Sequence, residues 1–145
     1  MSKNGHNKLI GTRYHGHGDG WCELALPYDE KLVTDTQSGI LASGPIFTLM
    51  DMATSLSIWL KTGTFQPQAT LDLRIDYLKA ATPGREIFGG AVCYKLGHEL
   101  AFVRGCGYHD TPDDPIATSS AIFMFTGGPV IALDAALSAL QENRP

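Results

Sequence analysis

The sequence predicts an α+β domain in which one curved antiparallel sheet wraps a single long central helix. Two observations carry this expectation. Residues Gly44 to Leu60 form a 17-residue run, GPIFTLMDMATSLSIWL, whose only charge is Asp51. A helix that is apolar nearly all round its cylinder is one that a protein surrounds. After it come four long segments of strand character, Ala69–Leu78, Glu86–Lys95, Leu100–Asp110 and Pro115–Thr126, joined by short turns. Short links between long strands imply antiparallel neighbours in a meander. Gly89, Gly90, Gly105 and Gly107 fall inside these strands. Glycine there permits the bends and close backbone approach that a wrapping sheet needs.

Taken in order, residues 1–8 are polar and are predicted to be disordered. Leu9–His15 reads as a short strand and Gly16–Gly20 (GHGDG) as a turn. Trp21–Tyr28 alternates Trp21, Glu23 and Ala25 against Cys22, Leu24 and Leu26, a strand with one apolar face. Asp29–Ser38 is loop-like, and Gly39–Ala42 leads into the helix. Ser43 suits its N-cap and Pro45 its first turn. Lys61 and Gly63 mark the stop. On that helix Thr48, Asp51 and Ser55 recur at i, i+3 and i+7 and share one polar stripe. The strand after it alternates Leu71, Leu73, Ile75 and Tyr77 against Thr70, Asp72, Arg74 and Asp76, which assigns Thr70 to the polar face. Thr82-Pro83-Gly84, Gly97 and Thr111–Asp114 supply the turns that follow. Gly127-Gly128-Pro129 then breaks the pattern, and residues 129–145 form a C-terminal extension in which Val130–Glu142 is patterned as a short amphipathic helix. Residues 1–145 read as one domain without repeats or linkers.

Composition narrows the function. Hydrophobic residues make up 43% and charged residues 18% of the 145, an ordinary globular balance. The net charge of -4, with no basic block, argues against nucleic acid, whose phosphates need clustered Lys and Arg. Cys22, Cys93 and Cys106 are widely spaced, follow no zinc pattern and read as buried reduced thiols. The N-terminal segment has no apolar h-region, so no signal peptide is expected. The Gly44–Leu60 run is short for a membrane span and carries Asp51 at its middle. The expected compartment is the reducing cytoplasm. His15-x-His17 has a permissible metal spacing, but only Asp19 stands near to complete a ligand set, so no metal is expected. Phosphate-binding loops, dinucleotide fingerprints and a Gly-x-Ser-x-Gly elbow do not occur. A carboxylate on a buried helix is costly unless paired or hydrogen-bonded. Asp51 therefore marks either chemistry or a satisfied structural network.

At this point the chain resembles the hotdog-fold acyl-CoA thioesterases of the PaaI-like branch. That family carries Asn-x5-His-Gly-Gly-x6-Asp leading into its central helix; the counterpart here is Thr36-x5-Ala42-Ser43-Gly44-x6-Asp51. The strand Thr70–Leu78, Gly84 and the turn Lys95-Leu96-Gly97-His98-Glu99-Leu100 follow at family-like spacing, and the similarity spans Leu9 to Phe125. The family's His, first Gly and upstream Asn are Ala42, Ser43 and Thr36 here, while Asp51 is retained. The resemblance implies hydrolysis of an acyl-CoA substrate without cofactor, in a homodimer or homotetramer. It implies Asp51 as general base or nucleophile and the N–H groups at Ser43 and Gly44 as holders of the thioester oxygen. Thr70 would orient water near Asp51 across a dimer interface. The resemblance places CoA along Tyr77–Thr82 and the Lys95–Leu100 turn, with Asp72, Tyr77, Lys79, Lys95, Gly97 and His98 as substrate-binding positions. Two rivals remain: an enoyl-thioester hydratase or dehydratase, which needs a histidine that Ala42 removes, and a non-catalytic acyl-CoA-binding protein.

Overall fold

The computed structural model describes residues 5–135 and residue 138. Helix α1 (His6–Ile10) precedes strands β1 (Arg13–Gly18) and β2 (Trp21–Leu26), a 3₁₀ turn at Glu30–Leu32, and the long helix α2 (Ser43–Thr62). Strands β3 (Thr64–Phe65), β4 (Gln68–Tyr77), β5 (Ile87–Leu96), β6 (Leu100–Tyr108), β7 (Pro115–Phe125) and β8 (Ile131–Ala132) follow. Six strands form one antiparallel sheet in the order β1-β2-β5-β6-β7-β4, and β3 pairs with β8 separately. The sheet holds α2 on one face, as the apolar run requires. Ile46, Leu49, Ala53, Leu56 and Ile58 are buried against Leu24, Leu26, Ile87, Ala91, Val103 and Phe123. Each large side chain so covered contributes about 1.5–3 kcal/mol.

The helix can lie this close because its floor is glycine. A Cβ on Gly89 would stand 2.8 Å from Leu49 Cγ, and one on Gly105 2.9 Å from Met50 Cε. At its far end Gly63 adopts φ 70°, and its N–H bonds Trp59 O. At its start the N-cap is Ala42, not Ser43. Ala42 is extended at ψ 154° and its N–H is taken by Leu32 O at 2.9 Å, so the helical bonds begin one residue earlier than Ser43 as a cap would allow. No side chain among the described residues caps this end.

Several expectations are corrected. His6–Ile10 is helical where disorder to residue 8 and then a strand from Leu9 were expected. Ile10 is buried and anchors that turn. Strand β1 starts at Arg13 and runs through two glycines to Gly18, its ladder with β2 overriding their weak strand preference. Strand β4 does not begin a four-strand meander. It lies at the sheet's far edge beside β7, and the meander is β5-β6-β7 alone. Leu78 and Lys79 N–H both bond Ile116 O, which holds the chain at β7 as β4 ends. In the C-terminal extension a short strand at Ile131–Ala132 precedes helix beginning at Leu133; residues 136, 137 and 139–142 of the expected Val130–Glu142 helix, and residues 1–4, lie outside the described residues.

Candidate active site

The polar stripe of α2 is met by β4 and α1. Gln68 Nε2 donates to Ser55 Oγ at 2.6 Å and to Ser55 O at 2.9 Å. Thr70 Oγ1 donates to Asp51 Oδ1 at 2.9 Å. Tyr77 OH donates to Ser43 O at 3.1 Å. Strand β4 thus runs antiparallel to α2, tied to it at three levels. Thr48 Oγ1, one turn before Asp51, donates to Gly44 O and meets His6 Nε2, both at 3.2 Å.

Strict alternation assigned Thr70 to the face shared with Asp72, and the structure overturns this. Thr70 pairs with Phe123 and Asp72 with Ile122, adjacent residues of β7, so Leu71 is a bulge. One extra residue reverses the pleat. Thr70 therefore joins Leu73, Ile75 and Tyr77 on the helix side, and Leu71 is left 54% exposed. The consequence is the Asp51 contact, made within one chain rather than across an interface.

Asp51 is half-buried. Its Oδ1 is anchored by Thr70, while Oδ2 has no partner among the described residues. Two turns back, Ser43 and Gly44 are exposed in the first turn, where a helix provides no acceptor for its own N–H groups. Nothing lies within 4 Å of where a Gly44 Cβ would be, so a ligand can approach that backbone. Gly44 and Asp51 are about 10 Å apart along the axis at 1.5 Å per residue. A cleft of about 250 Å³ opens at the helix start, lined by Leu41, Ser43, Ile46, Tyr77 and Lys79 among others. Burial pushes the Tyr77 phenol up, so it remains a donor at neutral pH. Phe47 (44% exposed) and Leu71 present bare apolar surface beside the Asp51–Thr70 pair. The arrangement offers oriented N–H donors and the positive end of a helix dipole to an oxyanion. On the same stripe stands a carboxylate with one fixed and one open oxygen.

The other expected substrate contacts do not assemble in one chain. Asp72 is exposed on the face away from α2. Lys79 lies by the helix start and pairs with Asp114 at 2.7 Å. Lys95 sits 5.4 Å from the Phe102 ring centroid, Gly97 N–H closes the β5–β6 hairpin on Leu100 O at 2.7 Å, and His98 is exposed beside it. That hairpin belongs to the opposite end of the sheet, since Leu96 aligns through Ala101 and Phe123 with Thr70. From Thr70 to Tyr77 the strand climbs about 24 Å at 3.4 Å per residue. His15 lies 3.4 Å from Glu23, His17 bonds Tyr14, and no three candidate ligands cluster among the described residues. Gln68 and His6 were missed from sequence. A buried polar stripe requires partners, and asking what satisfies Ser55 and Thr48 was the available signal.

A sequence model of the thioesterase superfamily matches residues 38–116. A protein from Pseudomonas aeruginosa of known structure is 34% identical with a TM-score of 0.76, the match covering 82% of this chain and 88% of that one. A thioesterase from Haemophilus influenzae is 19% identical with a TM-score of 0.73, covering 90% and 85%. The Escherichia coli PaaI protein of the phenylacetic acid degradation operon is 13% identical with a TM-score of 0.74, covering 87% of each chain. The last two likenesses speak to the fold alone. Among curated proteins none matches.

Proposed function

The chain belongs to the thioesterase superfamily and has its hotdog fold, and on that premise we propose that it hydrolyses acyl-CoA thioesters with Asp51 as general base. The observation that carries this reading is the state of Asp51: one oxygen fixed by Thr70, the other open, on the stripe that leads from the exposed helix start. The thioester carbonyl oxygen lies at the Ser43 and Gly44 N–H groups. Water attacks the carbonyl carbon while Asp51 takes its proton, and the N–H groups and helix dipole stabilise the tetrahedral oxyanion. Collapse breaks the C–S bond, and the proton on Asp51 passes to the departing thiolate. Tyr77 and Lys79, at the helix start, are the CoA contacts this geometry favours. Lys95, Gly97 and His98 reach that end only from a second copy. A second copy also suits the bare Phe47 and Leu71 and the unpaired edge of β4.

The test is thiol release from saturated, arylacetyl and benzoyl CoA thioesters. Asp51→Asn and Asp51→Ala should each lower kcat by about 100-fold or more, and Thr70→Ala by about 10-fold, as for loss of a base and of the group that aims it. Near-wild-type turnover in a folded Asp51 variant would sink the mechanism. Loss of enoyl absorbance from crotonyl-CoA without thiol release would favour a hydratase instead. Binding of acyl-CoA without either signal would favour a binding protein.

A further inference from the structure

We propose that Gln68 is a positioning residue for the candidate base: its bonds to Ser55 keep the start of β4 turned so that Thr70 reaches Asp51. This rests on the hydrolase reading above. Three contacts between α2 and the chain entering β4 form a ladder. Thr70 Oγ1 donates to Asp51 Oδ1 at 2.9 Å, Gln68 Nε2 to Ser55 Oγ at 2.6 Å and Ser55 O at 2.9 Å, and Trp59 Nε1 to Gln66 O at 2.9 Å. Asp51, Ser55 and Trp59 stand at i, i+4 and i+8. That spacing is about 6 Å per step along a helix. Thr70, Gln68 and Gln66 alternate back along the chain. That spacing is about 7 Å per step in extended backbone. The two nearly match, so the rungs form together, with Gln68 in the middle.

The bulge at Leu71 is what makes the middle rung necessary. Beyond the bulge, Leu73, Ile75 and Tyr77 lie opposite the buried Ala121, Ser119 and Ala117, and their apolar pattern sets the face of that half of the strand. It does not set the face of the other half. Ahead of the bulge, Gln68, Ala69 and Thr70 pair with Phe125, Met124 and Phe123. A slip of one residue there would turn Gln68 and Thr70 outward and Ala69 inward. Ala69 is small and apolar, so nothing in it resists the exchange. Hydrogen bonds to the polar stripe must therefore choose the register. Thr70 makes one, at an exposed position. Gln68 makes two, and the Trp59 bond falls ahead of Pro67, outside the paired residues. Ser55 O can only accept, so the amide atom facing it is Nε2. This leaves Gln68 Oε1 buried without a partner among the described residues. A buried acceptor without a bond lowers stability, and Gln68 keeps its place in spite of it. Without Gln68, Thr70 visits both faces of the strand and Asp51 loses its fixed oxygen. The chemical step then slows while substrate binding is untouched.

Kinetics on the best hydrolysed acyl-CoA, with urea unfolding beside them, test this. Gln68→Met keeps the length of the side chain and removes both the donor and the orphan acceptor. It should lower kcat about 10-fold, as Thr70→Ala does, with KM within about twofold and the urea midpoint close to wild type. Ser55→Ala keeps Ser55 O as an acceptor and should cost about threefold, the worth of one hydrogen bond. Added to Thr70→Ala, neither substitution should lower kcat further, because both act through Thr70. Unchanged kcat in Gln68→Met, beside an inactive Asp51→Asn, would overturn this inference and leave the hydrolase reading standing. A loss that multiplies with that of Thr70→Ala would also overturn it, by making Gln68 a support of the fold at large. So would a Thr70→Ala enzyme as fast as wild type, which removes the route by which Gln68 acts. If Gln68→Met does not fold, Ser55→Ala and Thr70→Ala complete the same cycle and decide it in the same way. A wild type that releases no thiol overturns both readings.

Discussion

Cys22 shows how burial sets a residue's chemistry. It lies on the helix face of β2, fully buried, and its thiol donates to Ala53 O at 3.1 Å. Burial pushes the thiol up to about 12. An unfolded cysteine ionises near 8.5. Between those values the unfolded chain has released a proton that the folded chain retains. Stability is therefore fully present below the lower value and falls by about 1.4 kcal/mol per pH unit as pH rises through the window. Cys22→Ala should flatten the fall in urea-unfolding stability above pH 9, whatever it does to the absolute level. A variant with the wild-type slope would show that Cys22 ionises equally in both states. At this scale the sequence disclosed a good deal. Cys22 was legible as a buried reduced thiol from its strand segment, and Asp51 as a carboxylate that needs either chemistry or a hydrogen-bonded partner, of which the structure shows Thr70. Thr70 was assigned to the wrong face, because a bulge leaves no mark in composition. Leu71 continues an unbroken alternation, and only the pairing partners on β7 reveal the slip.

Between elements, what matters is how closely α2 approaches the sheet, because that distance sets where its stripe meets β4. Gly89 in β5 is the contact point, with Leu49 wholly buried above it. A methyl group there would meet Leu49 Cγ at 2.8 Å, and the leucine is enclosed on all sides. Gly89→Ala should destabilise the protein by about 1–3 kcal/mol, the usual cost of overpacking a filled core. Gly16→Ala in β1, where nothing lies within 4 Å, is the control and should change stability by less than about 1 kcal/mol. Equal urea midpoints for the two variants would show that the helix can shift outward without loss. The central helix and the strands around it were readable because hydrophobic period and turn residues agree along them. The N-terminal helix was not. His6–Ile10 is a single turn with no periodicity to detect, and it is fixed by Ile10 and by contacts to Thr48 and Met52 that are 42 and 45 residues away.

Across the whole molecule, the sheet ends in two edges of different character. Strand β1 is short, bears two glycines and is bulged between Tyr14 and Gly16, features that blunt an edge. Strand β4 has ten residues, pairs on one side only among the described residues, and leaves even its helix-facing Leu73 and Ile75 half-exposed. Its bulged Leu71 and, on α2, Phe47 stand exposed next to the candidate base. The fold class followed from the sequence because a wrapped helix and a run of strands permit few arrangements. The position of β4 did not, since strand order depends on pairings far apart in the chain. We predict that the active species is at least a dimer, paired along β4, with a sedimentation mass of about twice 15.6 kDa or more. An active 15.6 kDa monomer at micromolar concentration would contradict this. Subunit mixing then tests the internal geometry of that dimer. Thr70 reaches Asp51 within one chain, so a mixed dimer of Asp51→Ala and Thr70→Ala subunits contains one site without its base and one without its aiming hydroxyl. Neither site is whole, and mixing should give no more activity than the Thr70→Ala subunits contribute alone. Recovery toward half of wild-type activity, after exchange is verified, would mean that the two residues meet across the interface in the assembled enzyme.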